Sequence, residues 1–391
     1  MPDFLPTTRS TPFDPPDGLF ADPRPVRRLA FQDGHLGWIV TSYDLAKSVL
    51  ADQRFSNRLE LRHQVVRRPG ITRVRERPQP GMFLGMDPPQ HTRYRRLLTG
   101  QFTVRRMKQL EPRIEEIVAD HLDALEAAGP PADLVPTFAR PIPSLVICEL
   151  LGVPYADRER FQRDSATMLR LTNTDEEAVA AMTSLTVYMA ELVQRKQTDP
   201  ADDLLSGLVT GGELTLEEII GVGFLLLVAG HETTANMLGL GTFALLEHPD
   251  QAEALRNGTV SAEAVVEELL RYLSIIQLGP TRTALTDVEL GGEVIKAGES
   301  VVISLPAANR DPERFPDPHD LHVGADAHGH LAFGHGVHQC LGQQLARIEM
   351  RVGYRALFTR FPALRLAVRS EEVPVRDDMA IYGVHSLPVE W

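Results

Sequence analysis

Phe333-Gly334-His335-Gly336-Val337-His338-Gln339-Cys340-Leu341-Gly342 decides how the rest of this chain is read. One of only two cysteines among the 391 residues stands there, in a glycine-rich loop opened by an aromatic. The run that follows, Gln343-Gln344-Leu345-Ala346-Arg347-Ile348-Glu349, consists mostly of good helix formers. A cysteine just ahead of a helix lies among free backbone N–H groups at the positive end of the helix dipole, which favours its thiolate. A thiolate is a nucleophile or a metal ligand. The glycines favour the ligand, because they let the backbone approach something large, flat and rigid, with Phe333 packing at its side. A haem is such an object.

Two further stretches carry chemistry. Ala229-Gly230-His231-Glu232-Thr233-Thr234 lies inside a long apolar run. Thr215 and Glu218 have the spacing of a capping box, which predicts a helix from Leu216 to Leu246 with no proline to break it. At about 1.5 Å per residue it is roughly 45 Å long, enough to cross the molecule. The apolar run Ile219 to Ala229 is too short to span a bilayer, and His231-Glu232 ends it. The reading is a core helix with an acid and a hydroxyl in its middle, groups that are costly to bury unless hydrogen-bonded or useful. Gly230 in mid-helix costs about 1 kcal/mol relative to alanine, which suggests room kept for a small molecule. In Glu268-Leu269-Leu270-Arg271 the spacing of three puts both charges on one helix face.

These three segments, in this order, resemble the cytochrome P450 superfamily. The resemblance implies a mainly α fold with a small β-sheet region, one compact domain over residues 1–391 and a long central oxygen-binding helix. It implies haem b as the cofactor, with Cys340 as axial ligand to the iron and Phe333, Gly334, His338 and Gly342 around it. Gly230 then marks an oxygen groove, and Thr233 and Glu232 relay protons into it. Glu268 and Arg271 become a buried scaffold pair beneath the haem. Asp87-Pro88-Pro89-Gln90-His91-Thr92-Arg93-Tyr94-Arg95-Arg96-Leu97 is similar to the helix that reaches a haem propionate. Its His91 and Arg95 share a helix face, as a joint anion site requires. Arg282, in Pro280-Thr281-Arg282-Thr283-Ala284, matches a strand arginine that pairs with a propionate.

Met82, Phe83, Leu84, Ile275, Ile276, Ala380 and Ile381 match the family's substrate-lining segments; apart from the resemblance each reads as core. The ending Tyr382-Gly383-Val384-His385-Ser386-Leu387-Pro388-Val389-Glu390-Trp391 looks most like actinobacterial hydroxylases of macrolides and polyketides. One departure stands out. Relatives carry an arginine where this chain has Ala325, completing a triad with Glu268 and Arg271; Arg310 and Arg314 are the candidates to replace it.

The bulk properties agree with a globular protein. Apolar residues make up 43% of the chain, ample for a core, and no Gly/Ser linker or repeat divides it. The opening Met1-Pro2-Asp3-Phe4-Leu5-Pro6-Thr7 has neither a basic start nor an apolar run, so the expectation is a soluble cytoplasmic protein without leader or membrane anchor. Two cysteines exclude a disulfide framework, and Cys148 in Leu145-Val146-Ile147-Cys148 reads as core. The net charge of −13 is uneven: Arg62 to Lys108 holds twelve Lys/Arg against Glu76 and Asp87, a local +10. Either two solvated faces or two sites explain this. Arg93, Arg96, Arg105, Arg106 and Lys108 fall where the family docks an acidic electron donor such as a ferredoxin. Arg67, Arg68, Arg73, Arg75 and Arg77 fall in the loop over the substrate side, facing an anionic substrate, a carrier protein or solvent. The acidic remainder and the lack of a recognition motif exclude nucleic acid. With no flavin or nicotinamide domain, electrons come from a ferredoxin and its NAD(P)H-dependent reductase. The expected substrate is a small hydrophobic secondary metabolite of the macrolide or polyketide kind, and the expected state is a monomer.

Rival readings start from the same loop. His328, His330, His335, His338 and Cys340 are dense enough for a zinc site. A cysteine hydrolase needs a base, for which His338 is placed, and a third orienting group that the sequence does not declare. A haem sensor or electron carrier needs no proton relay, which Thr233 and Glu232 argue against. Amphipathic periodicity predicts helices at Tyr43 to Asp52, Met107 to Ala128, Ala156 to Leu171, Glu176 to Gln197, Pro249 to Asn257 and Ala262 to Leu273, and strands at Leu36 to Thr41, Val288 to Ile295 and Ser300 to Ser304.

Overall fold

Thr215 opens the longest element of the molecule. In the computed structural model, which describes residues 3–70 and 79–391, the Glu218 N–H donates to the Thr215 hydroxyl at 3.2 Å. The Thr215 N–H donates to the Glu218 carboxylate at 2.8 Å. This reciprocal cap starts the helix Leu216–Glu247, one residue longer than expected. Val222, Leu227, Leu238 and Phe243 on it belong to the main core. Helices Pro141–Leu151, Asp175–Thr198 and Gln343–Arg360 pack against it. Among the described residues it is the one helix long and apolar enough to cross a membrane, and it serves as the core helix of a packed bundle.

Tyr43–Ala51, Arg158–Leu169, Asp175–Thr198, Pro249–Arg256 and Ala262–Leu273 lie within two residues of expectation. Val104–Ala128 begins three residues before Met107 because Thr103 caps it, its hydroxyl accepting from the Arg106 N–H at 3.3 Å. Pro141–Leu151, read in sequence only as an apolar setting for Cys148, is a helix. Its two prolines sit in the first turn, where no backbone N–H is needed. Burial there pushes the Cys148 thiol up to about 12, so it is an inert core residue.

The β component is small. A five-stranded sheet runs in the order Val26–Ala30, Leu36–Val40, Ser300–Ile303, Thr281–Ala284, Phe55–Ser56. Only Leu36–Val40 and Ser300–Ile303 in it pair in parallel. The single strand expected over Val288 to Ile295 is instead a hairpin of Val288–Leu290 and Glu293–Ile295. Gly291 and Gly292, at φ 57° and 84°, make the two-residue turn whose positive dihedrals suit strand twist.

The scaffold pair is buried, with Arg271 Nε and Nη2 each 2.7 Å from a Glu268 oxygen. Arg271 also donates to the carbonyls of Asn309, Pro318 and Asp320, tying the segment before the cysteine loop to helix Ala262–Leu273. Neither Arg310 nor Arg314 completes a triad. Arg310 stacks on the Tyr272 ring at 3.9 Å and donates to the Tyr272 and Phe13 carbonyls. Arg314 donates to His328 O. A backbone N–H, that of His322 at 2.9 Å, supplies the remaining donor to Glu268, so a guanidinium at position 325 is dispensable for hydrogen bonding.

Candidate active site

Between the central helix and the N-terminal end of Gln343–Arg360 lies a cavity of about 530 Å³. Ala229, Gly230 and Thr233 form part of one wall, and Phe333, Gly334, Cys340 and Gly342 part of the other. The cysteine loop is closed by the Cys340 N–H, which donates to Phe333 O at 2.9 Å. Gly334 and Gly336 hold φ of 69° and 74°. A Cβ on Gly336 would also stand 2.5 Å from Leu50 O, so glycine is required there.

Cys340 is enclosed by protein, and its exposed surface is cavity wall. Burial raises the pKa of its thiol, and the N–H groups of Gly342 and Gln343 with Arg95 and Arg347 only partly offset this. Desolvation thus outweighs the helix end, where the sequence leads one to expect the helix end to favour a thiolate.

Along one flank runs a basic cluster. His91 and Arg95 come from Gln90–Thr99, Arg282 from Thr281–Ala284 and His338 from the cysteine loop, and all four line the cavity. The His91 and His338 rings are 4.1 Å apart. Burial first, then Arg95, lowers the His91 pKa to about 4. Burial first, then His91 and the arginines, lowers that of His338 to about 3. Burial takes Arg62 and Arg282 down to about 10. Asp87 is the acid among them, and it is engaged by the Ser56 hydroxyl at 2.5 Å and the Asn57 N–H at 2.7 Å. Among the described residues, His91 Nδ1 and Arg62 Nε have no hydrogen-bond partner.

On the central helix the expected groups separate. Thr233 faces the cavity, its hydroxyl donating to Ala229 O at 3.0 Å. Glu232 turns away from it. Its Oε2 accepts from Arg376 Nη2 at 3.2 Å, and Arg376 Nη1 donates to Asn236 Oδ1 at 2.9 Å. His231 is fully buried against Phe161, with Nδ1 donating to Leu227 O at 2.7 Å. Gly230 has a packing reason: a Cβ there would stand 2.6 Å from Ile147 Cδ1 on the neighbouring helix.

The family model for Cytochrome P450 matches residues 183–378. Cytochrome P450 105C1 of a Streptomyces species is 51% identical over 98% of this chain and 97% of its own. Vitamin D3 dihydroxylase of Streptomyces griseolus is 44% identical over 99% and 96%. Among solved structures, MycCI, the mycinamicin VIII C21 methyl hydroxylase of Micromonospora griseorubida, superposes with a TM-score of 0.93 at 37% identity, covering 100% of both chains. The CYP105P1 complex with filipin I gives 0.92 at 44% identity, covering 100% of this chain and 99% of that one. This chain belongs to the cytochrome P450 family.

It is therefore a P450 monooxygenase with haem b as cofactor, fed by redox partners and acting on small molecules. The cavity fits that group on its own chemistry. A cysteine sulfur on the cavity wall stands beside cationic donors with vacant hydrogen-bonding capacity, the donor set that suits a metal in a dianionic, carboxylate-bearing ring. No three His, Cys, Asp or Glu side chains among the described residues gather as a metal site, which removes zinc. His330 Nδ1 accepts from the Ala332 N–H at 3.1 Å, and its Nε2 lies 3.2 Å from a Glu267 oxygen.

Of the expected substrate-lining residues, Phe83, Leu84, Ile275 and Ile276 border the P450 cavity. Met82, Ala380 and Ile381 do not; Ala380 packs in the core under the sheet, and the other two pack against the main core. Sequence reasoning missed Asn57, whose Oδ1 accepts from Arg282 Nη1 at 2.7 Å, and Arg62, whose Nη2 reaches Asn57 O at 2.9 Å. No local pattern marks either one, because their partners are brought together only by the sheet. Arg67, in the arginine-rich loop, leaves for the surface and pairs with Asp175 at 3.0 Å, whereas Arg68 borders the cavity. Arg73, Arg75 and Arg77 lie outside the described residues.

Proposed function

We propose that Cys340 would ligate the iron of haem in this P450, that His91, Arg95, Arg282 and His338 would hold the haem carboxylates, and that Thr233 would handle protons at the facing wall. The observation that carries this is one cavity walled by Cys340 on one side and Gly230 and Thr233 on the other, with the basic cluster at its flank. Bound there, haem b supplies the oxidising chemistry that places one atom of dioxygen in a C–H bond or an alkene, the other leaving as water with two electrons and two protons.

The chain's own residues do the rest. The N–H groups of Gly342 and Gln343 point at the sulfur and temper its charge. Thr233 gives its proton to Ala229 O, so its oxygen lone pairs are free to accept from a donor in the cavity, and it passes a proton on only by turning its O–H away from Ala229 O. Glu232 enters that relay only after leaving Arg376, so the ion pair gates the supply.

The substrate is a mid-sized hydrophobic metabolite of the macrolide or polyketide kind, supported by the C-terminal segment and by Phe83, Leu84, Ile275 and Ile276 on the wall. The electron donor is an acidic ferredoxin that meets Arg105, Arg106 and Lys108, which have no ion-pair partner among the described residues. Arg93 and Arg96 are less available, being turned to Glu218 and to Glu213 at 3.7 Å. The protein works as a cytoplasmic monomer. The test is the absorption spectrum of the reduced protein under carbon monoxide. A strongly red-shifted Soret band is expected, and a haem-loaded protein without it refutes the ligand assignment.

A further inference from the structure

Among the described residues, four guanidinium groups border the cavity, those of Arg62, Arg68, Arg95 and Arg282. Asp87 is the acid among the described residues that acts on Arg62 and Arg282. Glu349 also reaches the wall, and burial pushes its carboxyl well up, toward the neutral form. Haem b brings two carboxylates, while a ferric iron, the ring dianion and a thiolate cancel. Among the described residues, three negative charges then stand against four positive, one cation in excess. A guanidinium that faces an apolar cavity without a partner is a site for an anion.

Arg68 is that cation. Arg62 and Arg282 share the Asn57 carboxamide oxygen, and Arg95 acts on Cys340, so these three belong to the haem flank. Arg68 has no hydrogen-bond or ion-pair partner among the described residues, and its one electrostatic neighbour is the like charge of Arg62. Its position is built. Asp175 Oδ1 accepts from Arg67 Nη2 and from the Gly70 N–H, each at 3.0 Å, clasping the segment on both sides of it. Arg67 thus turns outward and Arg68 inward, beside Val65, Val66 and Leu59 on the wall.

We propose that Arg68 anchors a carboxylate carried by the substrate, so that this P450 selects apolar acids over their neutral counterparts. The inference rests on the haem-thiolate reading above and adds the substrate's charge to it. The experiment is a binding titration of the holoenzyme with dodecanoate and methyl dodecanoate, followed calorimetrically and by the Soret shift, in wild type, Arg68→Ala and Arg68→Lys. Dodecanoate is expected to bind wild type at least about tenfold tighter than its ester, as a hydrogen bond to a charged pair contributes. Arg68→Ala is expected to erase the ratio by weakening the acid alone, and Arg68→Lys to keep part of it. Wild type that binds both equally or neither, or a preference that survives in Arg68→Ala, overturns the assignment. So does faster haem loss to apomyoglobin from Arg68→Ala, since the guanidinium would then serve a haem carboxylate. A wild-type protein without the red-shifted carbon monoxide band refutes the haem-thiolate reading itself, whereas a normal band with no acid preference refutes Arg68 alone.

Discussion

Cys340 is caught between two opposing fields. Burial favours the neutral thiol, and the helix N–H groups favour the charge. Cys340→Ser is expected to lose the red-shifted carbon monoxide band even where haem is retained. Retention of that band assigns the ligand elsewhere. Thr233→Ala keeps haem and substrate binding but removes the hydroxyl at the cavity, so reducing equivalents are expected to leave as peroxide or water. Product formed per NAD(P)H checks this, and full coupling means protons arrive by another route. Both residues are legible in sequence because each is set by its own motif. The direction of Glu232 is not, since Arg376, 144 residues on, decides it. The same holds for Asn57, whose partner Arg282 is 225 residues away.

At the level of elements, periodicity and the Thr215–Glu218 cap made the long helices and the strands Leu36–Val40 and Ser300–Ile303 readable, whereas Val26–Ala30, Phe55–Ser56 and Thr281–Ala284 escaped because two to five residues carry little periodicity. Glycines that look alike in sequence differ sharply in the packed helix. A Cβ on Gly221 would stand 2.0 Å from Pro80 O, a backbone atom that cannot swing aside. One on Gly223 would meet Met189 Sδ at 2.6 Å, and methionine repacks. Gly221→Ala is therefore expected to destabilise by about 1–3 kcal/mol, and Gly223→Ala by less than about 1 kcal/mol. Urea unfolding of the holoenzyme checks the order. Pro80-Gly81 leads directly into Phe83 and Leu84 on the cavity wall, so Gly221→Ala also weakens substrate binding. Equal costs for the two variants would mean the loop lifts freely from the helix.

Across the whole molecule, the charge imbalance visible in composition resolves into a site. The basic stretch is not one patch: Arg93 binds Glu218, Arg67 binds Asp175, and His91 and Arg95 face the cavity. Sequence shows the excess but not this division, which depends on where each side chain is enclosed. The enclosed part couples folding to pH. His91 and His338 have folded pKa values of about 4 and 3, below the ordinary imidazole value. The fold therefore binds fewer protons than the unfolded chain below about pH 6.5, and stability present above that pH is lost as pH falls toward the folded values. Two carboxylates set among these groups supply the missing negative charge and raise both pKa values, so the loss shrinks when haem is bound. The melting temperature of the haem-free protein is expected to fall more steeply from pH 7 to pH 5 than that of the holoenzyme. The double variant His91→Gln with His338→Gln is expected to flatten the haem-free slope. Parallel slopes with and without haem would place the carboxylates away from these histidines. A steep haem-free slope that survives the double variant would give the titration to other groups.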